Sequence, residues 1–478
     1  MRCDGRQELR SRLAVSRRDL LQVGSLGLMG LTMPRLVQTA TAKGLRPGAA
    51  KSCLLFFLDG GPGQQDMWDM KPDAPLEVRG EFNPIETSAP GVQVCEGLPK
   101  LSQQMHHLTL VRSVHHDVLV HSAATYYMLT GRHPQPGENL IIKEEPENFP
   151  PIGSVYAQQR PIAEVPEFVH LPDIMWDAGH DLPGQRAGFL GPGYDPLVVG
   201  DPSVKDYRVP GLALPSDVTQ SRLTRRRSLL QLLDRAGEDG VPEPAWNTMD
   251  GHTRKAFSLL ASPRTRDAFD LGKEPEAMRR RYGVPDRVKR TKGARNFGGL
   301  PHLGQCLLLA RRLIEAGVPL VTVCSGRRRD SAWDGHLRHF PILRKSLLPY
   351  FDRGFSTLLE DMHDRGLLEE TLVVAMGEFG RTPKMGQVTV GAATSAEGRD
   401  HWSYCYTILM GGAGIQRGAV FGASDGHAAY PADNPVTPED VTATIYYALG
   451  IDPETRITDP QGQPHAVALG EPIHGVFG

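Results

Sequence analysis

The chain has 478 residues, 40% of them hydrophobic and 23% charged, a composition that supports a packed core and excludes wholesale disorder. Lys and Arg number 53 against 55 Asp and Glu, a formal charge of −2, so the basic excess of a dedicated nucleic-acid binder is missing and no nucleic-acid partner is expected. No uncharged apolar run reaches the roughly 20 residues that cross a bilayer. The six cysteines include no CxxC pair, which argues against a zinc ribbon or a thioredoxin-type site.

Taken in chain order, the first signal is a targeting segment. Ser16-Arg17-Arg18-Asp19-Leu20-Leu21-Gln22 has the form of a twin-arginine export signal. An uncharged stretch from Leu20 to Pro34 and the small residues Ala40-Thr41-Ala42 follow, the order of a cleavable signal peptide. Residues 1–42 are expected to be removed, and the mature chain, net charge −6, to reside in the periplasm or cell envelope. Five cysteines remain after cleavage. That odd number excludes a disulfide scaffold.

Residues 43–478 read as one α/β domain. Cys53–Leu58 is apolar on both faces, as a central parallel strand should be, and ends at Asp59-Gly60-Gly61-Pro62-Gly63. Leu108–Val111 is a second strand ending near His115 and His116, and a helix runs from about Ser122 to Leu129 before Gly131. The Pro-rich and charged stretch 141–298, with Arg225-Arg226-Arg227 and Arg279-Arg280-Arg281, reads as a helical and irregular insertion outside the sheet. From Leu303 the pattern alternates: helix to Ala316, strand Leu320–Cys324, a helix striped by Leu347, Leu348, Phe351, Phe355, Leu358, Leu359 and Met362, then strands Thr371–Met376 and Tyr406–Met410. Thr437, Pro438 and Gly450 bracket a last helix. Such alternation predicts a mostly parallel sheet with helices on both faces.

Ligands bind such sheets at the carboxyl ends of the strands. The polar residues placed there are Asp59, His115 and His116, Asp334 with His336, and Glu378, joined by Gly398-Arg399-Asp400-His401-Trp402 just before the 406–410 strand. Carboxylates and imidazoles on one rim are the donors a divalent metal needs. Asp59, Asp334, His336, Glu378, Asp400 and His401 are therefore the expected ligands of a divalent cation such as Zn, Mn or Ca. Arg381 is expected either to hold an oxyanion or to pair with Glu378.

His121-Ser122-Ala123-Ala124-Thr125-Tyr126-Tyr127-Met128-Leu129-Thr130-Gly131-Arg132-His133-Pro134 resembles the nucleophile helix of the sulfatases. Asp59 matches the metal-binding Asp after the first strand of the alkaline phosphatase superfamily, and Glu378 the Asp of its S-D-H/N-G motif. The whole chain resembles an exported bacterial family, domain of unknown function 1501, through Leu58-Asp59-Gly60-Gly61-Pro62, Trp333-Asp334-Gly335-His336, Gly377-Glu378-Phe379-Gly380-Arg381-Thr382-Pro383 and Gly398-Arg399-Asp400-His401-Trp402. The resemblance implies an alkaline phosphatase-like three-layer α/β/α sandwich with an inserted cap. It also marks departures. His121 stands at the sulfatase nucleophile position and cannot become formylglycine; Ala123 and Thr125 replace the motif's Pro and Arg; Phe379 replaces a His or Asn beside the metal acid.

Two functions follow from the residues. One is a metal-dependent hydrolase of phosphate or sulfate esters, on small molecules or polysaccharides, with His121 or Ser122 and Arg381 as catalytic residues. The other is a non-catalytic envelope protein that binds a polyanion or carbohydrate, its cleft lined by Trp68, Trp176, Trp333 and Trp402.

Overall fold

The computed structural model describes residues 50–135, 139–162, 164–209, 262–284, 296–326, 333–390 and 394–478, with scattered positions between 221 and 229. The expected signal peptide lies outside the described residues, as do Arg226 and Arg227.

Eight strands form the central sheet: β1 Ser52–Phe57, β2 Leu108–Val114, β3 Phe168–Leu171, β4 Leu197–Val198, β5 Leu320–Cys324, β6 Thr371–Met376, β7 Tyr406–Gly411 and β8 Ala419–Phe421. Their spatial order is β8-β2-β7-β6-β1-β5-β3-β4. Strands β1, β3, β4, β5 and β6 pair in parallel, and β2 and β8 share their direction. Only β7 runs the other way, antiparallel to both β6 and β2. Every residue of β1, β5 and β6 is buried, as continuous apolar strands in the middle of a covered sheet must be.

Helices α1 (His121–Thr130), α2 (Ile152–Gln159), α3 (Leu303–Glu315), α4 (Leu348–Asp364) and α5 (Pro438–Ala448) cover the sheet. The alternation of side chains along β1 separates the two faces. Leu54, Phe56 and Leu58 join the core built with α3 and α4, where the expected stripe Leu348, Phe351, Phe355, Leu358, Leu359 and Met362 is fully buried. Leu55 faces the other way, toward Leu129 of α1 and Ile152 of α2. Helix α5 starts with Thr437 as N-cap in a capping box with Asp440, Pro438 following. Helix α1 ends at Gly131 in the left-handed region, φ 61°.

The stretch 141–298 departs from expectation. It is not wholly outside the sheet: β3 and β4, its seventh and eighth strands, come from it. Phe168-Val169-His170-Leu171 is only four residues long and is followed by Pro172, so no periodic pattern announces it; it becomes a strand because β5 offers a parallel edge. The Arg279–Arg281 cluster lies on the short helix Glu276–Tyr282, where Arg280 pairs with Glu276 and Arg281 with Glu360. Arg280 is exposed and Arg279 and Arg281 are half-buried, so the cluster is a largely solvated, ion-paired helix face. Cys53, Cys95, Cys306, Cys324 and Cys405 are all buried and unpaired.

Candidate metal centre at the carboxyl rim

Because β1, β5 and β6 point the same way, the turns after them meet at one end. Asp59 follows β1, Ser325 follows β5, Glu378 follows β6, and His115 and His116 follow β2. The antiparallel β7 adds a further contribution. It enters the sheet from this same end, so the residues preceding it, Arg399 to His401, also belong to the rim.

One carboxylate oxygen forms the centre. Asp334 Oδ1 lies 2.9 Å from His336 Nε2, 3.5 Å from His121 Nε2, 3.6 Å from His401 Nε2 and 2.8 Å from Arg381 Nη2. His336 Nε2 and His401 Nε2 are 3.0 Å apart. All of these side chains are buried, Arg381 completely. His121, Asp334 and His401, and likewise His336, Asp400 and His401, have donor atoms close enough together to hold a metal ion.

Each imidazole is fixed from its far side. His121 Nδ1 meets Glu378 Oε1 at 2.5 Å, His401 Nδ1 meets the Leu119 carbonyl at 2.7 Å, and His336 Nδ1 faces Asp400 Oδ1 at 3.4 Å. A protonated Nδ1 held by an oxygen leaves the Nε2 lone pair pointing inward. The holders are themselves held. Glu378 accepts the Gly60 amide on both oxygens, at 2.8 and 3.1 Å. His116 Nε2 meets the Glu378 carbonyl at 2.7 Å. Asp400 accepts three backbone amides, from Thr389, Val390 and His401.

The electrostatics follow from this packing. Burial alone would lower His121, but hydrogen bonds and charge from Asp334 and Glu378 outweigh it and hold the imidazole up to about 9. Burial would likewise raise Asp334, yet Arg381 and the surrounding imidazoles keep it well below the usual carboxylate range. His401, desolvated and beside His121 and Arg381, is pushed down to about 3. Asp59 is pushed up to about 7, chiefly by burial, with the charge of Glu378 adding to it.

The expected site residues thus divide. Asp334, His336, His401 and His121 converge with their ring nitrogens and one oxygen; Glu378 and Asp400 border the cluster. Asp59 accepts the Ser325 amide at 2.8 Å and faces Glu378 electrostatically. Arg381 does not pair with Glu378. Its guanidinium donates to the Gly60, Gly61 and Arg399 carbonyls and to Asp334, so Asp334 is its carboxylate partner and Glu378 is left to His121. Ser122 does not cap α1: Val120 is the N-cap and no side chain caps the helix. Phe379 packs against both His121 and His401, with ring centroids 4.9 and 4.6 Å away. Gly61, φ 74°, passes so close to that ring that a Cβ there would sit 2.7 Å from it. Trp68 and Trp333 are core residues packed on Phe351 rather than cleft walls.

Sequence reasoning missed the buried Arg399, which forms a two-point pair with Asp66 at 2.7 and 3.0 Å and caps the Thr382 and Pro383 carbonyls. Asp66 also takes His339 Nε2 at 2.8 Å. The only available signal was the position of Arg399 beside Asp400 and His401.

An α/β protein with a mostly parallel sheet and an acid–imidazole cluster at its carboxyl rim is the class these observations define. A family model matches residues 50–477, and the chain belongs to that family, described as "Protein of unknown function (DUF1501)". No curated protein matches the chain. Among solved structures it is similar to a protein in the alkaline phosphatase superfamily from Vibrio parahaemolyticus, with 11% identity and TM-score 0.40 over 85% of this chain and 69% of that one. It is also similar to the lipoteichoic acid synthase LtaP from Listeria monocytogenes, 9% identity and TM-score 0.36 over 88% and 75%. The PsFucS1 sulfatase from Pseudoalteromonas sp. aligns with 12% identity and TM-score 0.35 over 87% and 70%.

Proposed function

We propose that this chain is an exported, metal-dependent hydrolase of phosphate or sulfate esters, sulfatase-like but working without a formylglycine nucleophile. The observation that carries this reading is the convergence of the buried His121, His336 and His401 on Asp334 Oδ1 at the carboxyl rim. The donor chemistry fits a divalent cation. Two imidazole nitrogens facing each other at 3.0 Å repel through their lone pairs unless a proton or a cation lies between them, and the buried Nε2 of His121 has only the long 3.5 Å approach to Asp334 Oδ1. A bound cation supplies Lewis acidity that polarises the ester oxygen.

The chain's own groups do the rest. Arg381 fixes Asp334 and ties it to the Gly60-Gly61 turn. Phe379 seals the apolar side of the cluster. Asp59, near 7, is a rim group able to give or take a proton near neutrality. The substrate is an ester of a small molecule or polysaccharide, and the twin-arginine segment within residues 1–42 directs the chain to the periplasm or envelope. No helix among the described residues is long and apolar enough to cross a membrane.

One observation favours the non-catalytic reading. Arg381 is wholly buried and committed to internal partners, so it does not face an ester oxyanion. A panel of aryl phosphates, phosphodiesters and aryl sulfates, assayed with added Zn, Mn or Ca, decides between the two. Metal-dependent turnover that His121→Ala abolishes and Ser122→Ala keeps is the expected result. Turnover lost with Ser122→Ala alone would make Ser122 the nucleophile, and no turnover across the panel would favour the binding protein.

A further inference from the structure

The spacing of the donor atoms says more than that a metal can bind. Asp334 Oδ1, His336 Nε2 and His401 Nε2 form a triangle with edges of 2.9, 3.0 and 3.6 Å. His121 Nε2 stands 3.5 Å from the same Asp334 oxygen. Nitrogen and oxygen donors about 2.0–2.1 Å from a tetrahedral ion are about 3.3 Å from one another, and the triangle has that size. The geometry points to a single four-donor site made by His121, Asp334, His336 and His401, whose three nitrogens and one oxygen select an ion of the zinc class over calcium. This inference rests on the metal-dependent reading above and specifies which residues are ligands and which ion they take.

The acids left out of the set are as informative as the donors inside it. Glu378 is held by Gly60 and by His121 Nδ1. Asp400 accepts three amides and faces His336 Nδ1. Both act as partners that orient an imidazole from behind, a role that tunes a metal site without touching the ion. Asp59 is held by the Ser325 amide. Asp334 Oδ1 is the carboxylate oxygen on which the three imidazoles converge, and the proposal takes it, rather than the neighbouring Asp400, as the ion's oxygen ligand. Calcium takes six to eight oxygen donors, whereas borderline ions such as Zn²⁺ accept imidazole readily. His121 is thus a ligand rather than the nucleophile its helix position suggests.

The test strips the full-length protein with a chelator and reconstitutes it with Zn²⁺, Co²⁺ or Ca²⁺ alone, reading metal per chain by elemental analysis and the visible absorption of the Co²⁺ form. The expected result is one Zn²⁺ or Co²⁺ per chain, no retained Ca²⁺, and the intense absorption of four-coordinate Co²⁺. His336→Ala and His401→Ala should empty the site, and His121→Ala, or the milder His121→Asn, should change the Co²⁺ spectrum. Glu378→Gln and Asp400→Asn should keep one ion per chain with affinity lowered about 10–100-fold. The site as drawn is overturned by preferential Ca²⁺ retention, by failure of all three ions to bind, or by a Glu378→Gln protein that is empty while His121→Ala leaves the Co²⁺ spectrum unchanged. One zinc per chain without ester turnover would refute the hydrolase and leave the site standing; turnover that needs Ca²⁺ would do the reverse.

Discussion

Asp59 shows how one buried acid couples the rim to pH. Burial pushes it from its ordinary 3.8 up to about 7, so between those values the folded chain binds a proton that the unfolded chain does not. Stability contributed by this group is therefore highest at acid pH and falls as pH rises toward 7. Asparagine has the same shape and can still accept the Ser325 amide, but it carries no charge. We expect Asp59→Asn to raise the melting temperature at pH 8 and to change it little at pH 4, which thermal unfolding at the two pH values measures. An equal shift at both would mean that Asp59 is not desolvated as described. At the same scale, which acid serves which base could not be read from the chain. Arg381 and Glu378 are three residues apart, and their nearness in sequence suggested a pair. The structure joins each to a residue far away, Arg381 to Asp334 and Glu378 to His121, because the strand ends, and not the local chain, set who is adjacent.

At the scale of elements, β1, β5 and β6 were legible almost to the residue, since a strand buried on both faces is an unbroken apolar run with turn residues after it. Helix α5 was legible from its cap and its proline. Strands β3 and β4 were not: four and two residues long, they owe their state to a neighbour's free edge. The direction of β7 was equally hidden, although it explains why His401, which precedes a strand, shares a rim with residues that follow strands. Helix α1, which carries His121, is positioned at its far end by Gly131. There φ is 61° and an added Cβ would lie 2.7 Å from Thr442 on α5. Gly131→Ala meets both backbone strain and that contact, and should cost about 1–3 kcal/mol. A denaturant titration showing no loss would mean that α1 and α5 are not packed as described.

On the scale of the whole molecule, the sheet gathers side chains from five separate stretches of the sequence into one buried cluster, while the proposed targeting segment lies ahead of the described residues. The proposed export route makes a direct prediction. A protein with Arg17→Lys and Arg18→Lys together should accumulate in the cytoplasm with residues 1–42 still attached, as cell fractionation and N-terminal sequencing would reveal; normal delivery of this double variant would exclude the twin-arginine route. That route carries chains already folded, and the five buried cysteines give this order of events a redox meaning. Burial pushes the thiols of Cys53 and Cys95 up to about 12, and the thiolate is the form that oxidants and disulfides attack. A chain threaded unfolded into an oxidising compartment would present every thiol for mispairing. A chain that arrives folded presents none of these five, so under the proposed route the protein would keep reduced cysteines beyond the cytoplasm by enclosing them before it leaves.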